Sequence, residues 1–363
     1  MNATIARAGA AHLVHAEGAP CPTLVVDADR LPPGDEALLE GLARVRDGLG
    51  AETRRTVLKN AVVRPSAHPL FDLDYYFVQS LPGGRDRFDT RGSCGHSILA
   101  AVEAAARDGM IEPLEPGRRV RVNVLNNGDH VVCETDETGS GRTRFTAHFL
   151  CTPARPVGDL LITGEAVTRV TVDGRQLPVS LVDMGNPYVF VGAGDLGVRD
   201  AQELFAAGDE LFGLLGRVRR AVCAHMGWDA SGAFPKIAAL LPGPDGDLAV
   251  RAVSVPSWHP TLALTGAICL GTAVGIEGTL PWSLARAAGH DSGLVRLRTP
   301  GGPLRVRARI TGPADTPRLG WVSVADKYVR YENAVHLTAG ARSAALTPDR
   351  SRSEDPSCLS LPL

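Results

Sequence analysis

Two stretches of the chain alternate apolar and polar residues with a period of two, and each turns back on itself. Residues 119–124 read Arg-Val-Arg-Val-Asn-Val and are followed by an Asn-Asn-Gly-Asp turn and a second apolar run at 130–133. Residues 294–298 alternate in the same way and lead through Pro-Gly-Gly into 304–308. This alternation is typical of half-buried strands, and both turn sequences favour tight reversals. The pattern predicts two β-hairpins, one in each half of the chain.

A run of small and apolar residues with helical spacing precedes each hairpin. The first run follows Cys94, has apolar residues at 98, 101, 102 and 105, and meets a stop at Gly109. The second run begins at Leu264 and continues to 273. A strand-like segment precedes each helix, at 74–78 and 247–251, and an apolar segment that begins with a lysine precedes each of those strands. The same four features therefore occur in the same order in both halves.

The offsets between the matching features are nearly equal. Lys59 and Lys236 are 177 positions apart, Cys94 and Thr265 are 171 apart, and the two hairpin turns are 173 apart. Such offsets indicate an internal duplication of domain size. We expect an α+β fold of two pseudo-symmetric domains, 1–157 and 158–341, each a sheet or barrel wrapped around a central helix, and a disordered tail at 342–363. The active site would lie in the cleft between the domains, where the two helix N-termini can face each other.

Composition and charge exclude several classes of protein. The 363 residues carry a net charge of −2, with 38 Lys and Arg against 40 Asp and Glu, and no basic stripe predicts nucleic-acid binding. No uncharged apolar run approaches the roughly 20 residues that span a bilayer, and residues 1–10 lack the apolar core of a secretory signal. The seven cysteines form no Cys-x-x-Cys pair, which argues against a disulfide framework and a zinc site. We expect a cytoplasmic protein with no membrane, nucleic-acid or metal partner.

Lysine is unusually rare in this chain. Lys59, Lys236 and Lys327 are its three lysines, and arginine supplies the other permanently positive side chains. A lysine can lose its proton when it is desolvated and act as a base, whereas an arginine effectively cannot. A lysine that persists in such an arginine-rich chain can therefore mark a place where arginine cannot substitute. Lys59 and Lys236 are the candidates, because they hold matching positions in the two halves.

Cys94 stands at the first turn of the helix predicted in the first half. Unpaired backbone N–H groups and a partial positive charge at a helix N-terminus favour a thiolate and could also hold a carboxylate. We therefore expect Cys94 to be more acidic than a free cysteine. Four other cysteines lie in apolar segments and are expected to be buried and inert: Cys133, Cys151, Cys223 and Cys269.

Several segments of the chain resemble the 2-methylaconitate cis–trans isomerase family, the methylcitrate-cycle isomerases of the diaminopimelate-epimerase superfamily. They are Phe-Asp-Thr-Arg-Gly-Ser-Cys-Gly-His at 88–96, Val-Asp-Met-Gly-Asn-Pro-Tyr-Val-Phe-Val at 182–191, Pro-Lys-Ile-Ala at 235–238, His-Pro at 259–260 leading into Thr-Gly at 265–266, and Asp-Tyr-Tyr-Phe at 74–77. These segments are more specific together than any one of them alone. The resemblance runs from about Val14 to about Leu337.

The resemblance implies two pseudo-symmetric domains and an isomerase that works without a cofactor on a small unsaturated carboxylate. Members of the family move a proton and thereby shift or isomerise a double bond. Epimerases of the superfamily use one cysteine from each domain, whereas in the isomerase branch a lysine of the first domain joins the single remaining cysteine. Cys94 matches that cysteine, Lys59 aligns with that lysine, and Thr265 stands near the position of the second cysteine. The resemblance thus implies a catalytic role for Lys59 and Cys94.

The chain departs from the family at positions that contact the substrate. The family's Arg-Gly-Gly-Thr-Ser-Lys-Gly stretch, which helps to bind carboxylates, corresponds here to Glu-Gly-Ala-Pro-Cys-Pro-Thr at 17–23, so both positive charges are lost. The usual Asn after Cys-Gly is His96, and the usual His-Pro-Ser-Gly is Thr-Pro-Gly-Gly at 299–302. We therefore expect the proton-transfer chemistry to act on a substrate other than methylaconitate itself. The residues predicted to bind that substrate are Cys21, Gly95, His96, Ser97, Asn186, Lys236, Thr265 and Gly266.

Two other interpretations stay open from the sequence. Cys94 could act as a covalent nucleophile with His96 as its partner, in acyl transfer or in addition to an unsaturated substrate. The chain could also be a ligand-binding or accessory protein that kept the fold after losing its carboxylate-binding loop. In each case a bare edge strand could support a homodimer.

Overall fold

The computed structural model describes residues 10–336 except 82–83, 140, 233, 255–256 and 291–292. The tail predicted at 342–363 lies outside the described residues. Within the described part of the chain, no helix is both long and apolar enough to cross a membrane.

The strands are β1 (Ala10–Ala16), β2 (Thr23–Asp27), β3 (Lys59–Pro65), β4 (Leu73–Ser80), β5 (Phe88–Asp89), β6 (Arg119–Val124), β7 (Asp129–Gly139), β8 (Arg142–Pro156), β9 (Thr168–Val172), β10 (Arg175–Asp183), β11 (Pro187–Gly192), β12 (Lys236–Pro242), β13 (Leu248–Ser254), β14 (Ser257–Trp258), β15 (Leu294–Thr299), β16 (Gly302–Thr311) and β17 (Arg318–His336). The helices are α1 (Asp35–Asp47), α2 (Ala51–Thr56), α3 (Gly95–Arg107), α4 (Ala201–Ala206), α5 (Asp209–Met226), α6 (Leu264–Val274) and α7 (Leu280–Ala287). The two hairpins expected from the sequence are β6–β7 and β15–β16.

Eight strands close into a barrel around α3. Their order is β1-β2-β3-β4-β6-β7-β8-β17, and β17 pairs with β1 to complete the ring. Two neighbouring pairs are parallel, β2 with β3 and β4 with β6, and the others are antiparallel. Closure removes the free edges that an open sheet would leave. It also surrounds α3 with strands, which explains why α3 is buried through most of its length.

The second half repeats this order of strands. β10-β11-β12-β13-β15-β16-β17 matches β1-β2-β3-β4-β6-β7-β8, and the parallel pairs fall at the same two steps. The predicted duplication is thereby confirmed. β17 pairs with β16 over its first part and with β1 over its last part, so both sheets share it. The division at 157/158 stays a prediction, as does a homodimer through an edge strand.

One continuous core joins the two halves through α3 and α6. A single cluster of buried residues contains Ile98 and Leu99 of α3 together with Ile268 and Leu270 of α6. Every residue of α6 is buried. A helix that is enclosed on all sides must be apolar all round, and the small residues of both helices let the surrounding strands approach closely.

Two amphipathic helices cover the outer faces of the sheets. α1 packs Leu42 and Val45 against the first sheet, and α5 packs Leu215, Val218 and Val222 against the second. The sequence analysis predicted one long apolar helix in each half and did not predict these two. Their apolar residues form a stripe between charged residues, so their sequences lack the uniform apolar character that marks α3 and α6.

Replacing Gly271 by alanine should destabilise the protein. A Cβ at this position of α6 would meet the side chain of Val306, and overpacking of this kind costs about 1–3 kcal/mol. Gly213→Ala is the matched control in α5, where the added Cβ would meet only Arg217 Nη1 at 3.7 Å. Since alanine is the better helix former, this control should gain roughly 0.5–1 kcal/mol. Denaturant midpoints followed by circular dichroism measure both, and equal midpoints would contradict the packing of α6.

Candidate active site

Lys59 and Lys236 begin matching strands. Lys59 is the first residue of β3 and lies opposite Thr23 of the parallel strand β2. Lys236 is the first residue of β12 and lies opposite Tyr188 of the parallel strand β11. Both lysine side chains are half-buried. The duplication therefore places one lysine at the same end of the same strand in each sheet.

A buried arginine fixes the segment that leads into each lysine strand. Arg46 of α1 donates from Nη1 to the Val57 carbonyl at 2.7 Å and to Asn60 Oδ1 at 2.8 Å. Arg219 of α5 donates from Nε to the Pro235 carbonyl at 2.8 Å. A guanidinium can satisfy several oxygens at once because its donors form a rigid fork. The outer helices thereby position the starts of the two lysine strands.

Cys94 precedes α3 as its N-cap residue. Its backbone is extended, with φ −132° and ψ 105°, and the Tyr75 hydroxyl donates to its carbonyl at 3.3 Å. The hydroxyls of Ser97 and Thr23 lie 2.9 Å apart. Because Thr23 is the strand neighbour of Lys59, this contact ties the first turn of α3 to the start of the lysine strand.

Positive charge lowers the pKa of the Cys94 thiol. Burial raises this pKa, but the ammonium groups of Lys59 and Lys236 and the hydroxyl and N–H of Ser97 lower it, and the net shift is downward. Burial also lowers the pKa of Lys236, although the nearby Cys94 thiolate opposes that shift. Cys94 therefore carries more thiolate near neutral pH than a free cysteine does. The sequence analysis expected a shift in this direction from the helix N-terminus, and the structure adds a lysine from each half as a cause.

The N-termini of α3 and α6 are in contact. A Cβ on Gly95 would lie between 2.7 and 3.0 Å from atoms of Leu264, so a larger residue would force the helices apart. A Cβ on Gly266 would lie 2.5 Å from the Tyr188 hydroxyl. Burial raises the pKa of Tyr188, and the side chain of Thr265 offers it a hydrogen bond. The facing helix ends expected from the duplication are therefore observed.

His96 is buried in the first turn of α3 and faces the second half. Its ring stacks on His259 with centroids 6.2 Å apart. Burial lowers the pKa of His96 well below its ordinary value, and the charges of Lys327 and Lys59 lower it further. His96 is therefore neutral at pH 7.

Cys21 and Asn186 occupy matching loops and contact other groups. Cys21 is half-buried between β1 and β2. It lies close enough to Arg46 to contribute to the pKa of that guanidinium. Asn186 is buried between β10 and β11, where its carbonyl accepts a hydrogen bond from the Cys269 thiol at 3.0 Å. Among the described contacts, neither residue touches Cys94. Their roles in substrate binding stay predictions.

Two residues of this region had no assigned role in the sequence analysis. His259 was noted only as part of the family resemblance, and Lys327 only as a member of the lysine count. Burial lowers the pKa of His259 to about 3, and all three lysines add to that shift. The three lysines are therefore close enough to act on the same ring. Their rarity in the sequence was the one signal that could have found Lys327.

The region around Cys94 is positively charged. Among the described residues, no Asp or Glu acts on the pKa of Cys94, Lys236, His96 or His259. The described residues also contain no group of three His, Cys, Asp or Glu side chains that could hold a metal ion. This arrangement can bind an anion and can exchange a proton at a thiol and at an amine.

Comparisons with known proteins agree on one family. The family model described as "PrpF protein" matches residues 40–326. The 3-methylitaconate isomerase of Eubacterium barkeri is 27% identical over 301 residues, which cover 72% of this chain and 78% of the relative. The 2-methyl-aconitate isomerase of Shewanella oneidensis is 28% identical over 313 residues, which cover 74% of this chain and 78% of the relative.

A solved structure has the same fold. The crystal structure of methylitaconate-delta-isomerase superposes with a TM-score of 0.68 at 22% sequence identity. The superposition covers 94% of this chain and 98% of that one. At this level of identity the likeness concerns the arrangement of the chain and supports the two-domain epimerase-like fold.

Replacing either Lys59 or Lys236 by methionine should make Cys94 less acidic. Each ammonium lowers the pKa of the thiol, so its loss should move the midpoint of Cys94 alkylation upward by about one pH unit or more. The rate of iodoacetamide labelling between pH 5 and 10, read on the Cys94 peptide by mass spectrometry, measures this midpoint. Arg64→Met removes an exposed cation at the far end of β3 and should leave it in place. An unchanged midpoint in both lysine variants would contradict the electrostatic coupling described above.

Proposed function

The chain belongs to the PrpF protein family, and from this premise we propose that it moves a proton within a small unsaturated carboxylate, with Lys59 and Cys94 as the exchanging groups. Membership confirms the family resemblance, the epimerase-like fold and the assignment to the isomerases. The choice of substrate and the roles of individual residues belong to the proposal.

The observation that carries the proposal is the placement of Cys94 among lysine charges. Lys59 and Lys236 both lower the pKa of the thiol, and no described carboxylate opposes them. A thiolate close to ammonium groups is a proton acceptor beside proton donors. The same positive charge attracts the carboxylate of a substrate, so binding and chemistry use one electrostatic arrangement.

In the proposed proton transfer, Lys59 and Cys94 act at the two carbons between which the proton is moved. One of Lys59 and Cys94 removes a proton from the carbon next to the double bond, and the bonding electrons move toward the carboxylate as a dienolate. The other group then delivers a proton to the far carbon, which leaves the double bond shifted. The backbone N–H groups at the ends of α3 and α6 stabilise the developing negative charge. The two groups finish with exchanged protonation states, which solvent restores.

The β1–β2 loop supports a substrate other than methylaconitate. Residues 17–22 include no lysine or arginine. The Glu17 carboxylate is bound by Arg142 at 2.7 Å, a contact in which both side chains are about half exposed. Since this loop supplies no cation, the carboxylates of the substrate must be held elsewhere. The relatives' own substrates are small unsaturated carboxylates by name, and we propose the same chemical class for this chain.

Hydrogen exchange in deuterated water tests the proposal. The protein is incubated with a panel of unsaturated mono-, di- and tricarboxylates, and proton NMR follows exchange at the allylic carbons. We expect exchange with at least one panel member and a loss of at least about 100-fold in Lys59→Ala and in Cys94→Ser. Cys151→Ser and Arg64→Met are controls for thiol and charge, and both should retain exchange.

Other outcomes of this experiment would contradict the proposal. Full exchange in both variants would remove Lys59 and Cys94 from the mechanism. Ligand binding without exchange would favour an accessory binding protein. A mass increase of one substrate unit on Cys94 would indicate a covalent nucleophile instead.

A further inference from the structure

The third lysine is more deeply buried than the other two. Lys327 is 2% exposed, whereas Lys59 and Lys236 are half-buried. It lies in β17 at the place where this strand leaves its neighbour β16 and approaches β1. The last described partner on β16 is Arg305, which pairs with Ala325, and the partners on β1 begin at residue 329. Lys327 therefore sits where the two sheets join.

A β-bulge turns Lys327 toward the interior. The pairing of β17 with β8 shifts between Val324 and Lys327, and Asp326 adopts a left-handed backbone with φ 59°. Val324 is buried, and regular alternation would point residue 326 inward and residue 327 outward. The extra residue reverses that order. Bulges of this kind re-aim side chains and are common next to active sites.

Two arginines hold the bulge in this conformation. Arg305 donates to the Asp326 carboxylate at 2.8 Å, and Arg144 lies 3.5 Å from the same carboxylate. A left-handed conformation is uncommon for a residue other than glycine, and the surrounding structure must stabilise it. The carboxylate of Asp326 is thereby engaged with arginines. It raises the pKa of Lys327 only weakly, since burial still lowers that pKa to about 8.

Among the described residues, Lys327 has no salt-bridge partner and the Nε2 atom of His96 has no hydrogen-bond partner. The carboxylate next to Lys327 in the sequence, that of Asp326, forms its salt bridges with Arg144 and Arg305 and not with the Lys327 ammonium. His96 is 2% exposed, and its Nε2 atom has no hydrogen-bond partner among the described groups. The charge of Lys327 acts on both His96 and its stacking neighbour His259. A buried ammonium and a buried ring nitrogen in one place are costly unless something binds to them.

The ring of His259 adds a hydrogen-bond donor to this region. Its Nδ1 atom accepts a hydrogen bond from the Thr261 backbone N–H at 3.1 Å. The proton of the neutral ring is therefore on Nε2, which makes this nitrogen a donor. Two arginines, one on a helix and one on a strand, have partners of their own: Arg46 donates to carbonyl and amide oxygens, and Arg142 donates to Glu17.

We propose that Lys327 and His96 form a second carboxylate-binding subsite, separate from the positions of Lys59 and Lys236, and that the substrate is a dicarboxylate. This inference rests on the proposed function for the identity of the reaction, but the subsite itself can be tested by binding alone. One carboxylate lies between Lys59 and Lys236 near Cys94. The other accepts hydrogen bonds from the Lys327 ammonium and from the His96 ring, whose tautomer with a proton on Nε2 is a donor.

Calorimetric titration with succinate and butyrate tests the subsite without any turnover. The two probes have the same number of carbons and differ by one carboxylate. At pH 7 we expect the wild-type protein to bind succinate about 10- to 100-fold more tightly than butyrate, the range of one charge-assisted hydrogen bond. Lys327→Met should reduce the affinity for succinate to that for butyrate and leave the affinity for butyrate unchanged. Arg330→Met, an exposed cation on the same strand, should change neither affinity.

The outcomes distinguish a failure of the proposed subsite from a failure of the proposed reaction. Equal succinate affinity in the wild type and in Lys327→Met would overturn the subsite, as would an equal loss for both probes. If Lys327→Met does not fold, His96→Leu removes the other half of the subsite and should reduce succinate binding selectively. For a dicarboxylate that undergoes exchange, Lys327→Met should raise KM by about 10-fold or more and change kcat by less than about threefold. Absence of exchange with intact succinate selectivity would contradict the proposed reaction alone.

Discussion

The arrangement of the site depends on the positive charge of three lysines, none of which forms a salt bridge with a described carboxylate. Three lysines act on the buried ring of His259, and two of them act on Cys94. Charges removed from water are stable only if they are paired or if surrounding structure holds them in place. The closed first barrel, the shared strand β17 and the outer helices provide that structure. Under the proposed function, the carboxylates of the substrate supply the compensating negative charge.

The two halves share the same strand order and the same anchoring of the lysine strands, but they differ at the helix N-terminus that carries Cys94. Arg46 and Arg219 lie 173 positions apart, and each binds the segment before a lysine strand. At the helix N-termini the halves differ, since Cys94 is the N-cap residue of α3, whereas Ala263 is the N-cap residue of α6 and Thr265 lies in the first turn of α6. A threonine hydroxyl cannot exchange a proton near neutral pH as a thiol can, so the proposed proton exchange is assigned to the first half. This asymmetry explains why Lys59, from the same half as Cys94, is the better candidate for its partner.

The sequence alone was sufficient to predict the features that repeat along the chain and the helices that are uniformly apolar. The hairpins, the central helices, Cys94 and the paired lysines follow from period, composition and offset, and the structure places them as expected. α1 and α5 were missed because their apolar stripes alternate with charges. The role of Lys327 was missed for a different reason. Its orientation depends on one extra residue at Asp326 and on arginines from β8 and β16, and no local pattern encodes contacts of that range.

The use of lysine and arginine in this chain follows from what each position requires. Arg46 and Arg219 are buried where several oxygens converge, and a rigid fork of donors satisfies them at full charge. Among the described residues, no such set of oxygens accepts hydrogen bonds from Lys59, Lys236 or Lys327. A guanidinium at these positions would remain charged, and its N–H donors would need oxygen acceptors that the described residues do not supply. An ammonium is smaller, leaves room for a ligand carboxylate and can release its proton when burial lowers its pKa. Under the proposed function, the carboxylates of the substrate complete the coordination of these ammonium groups.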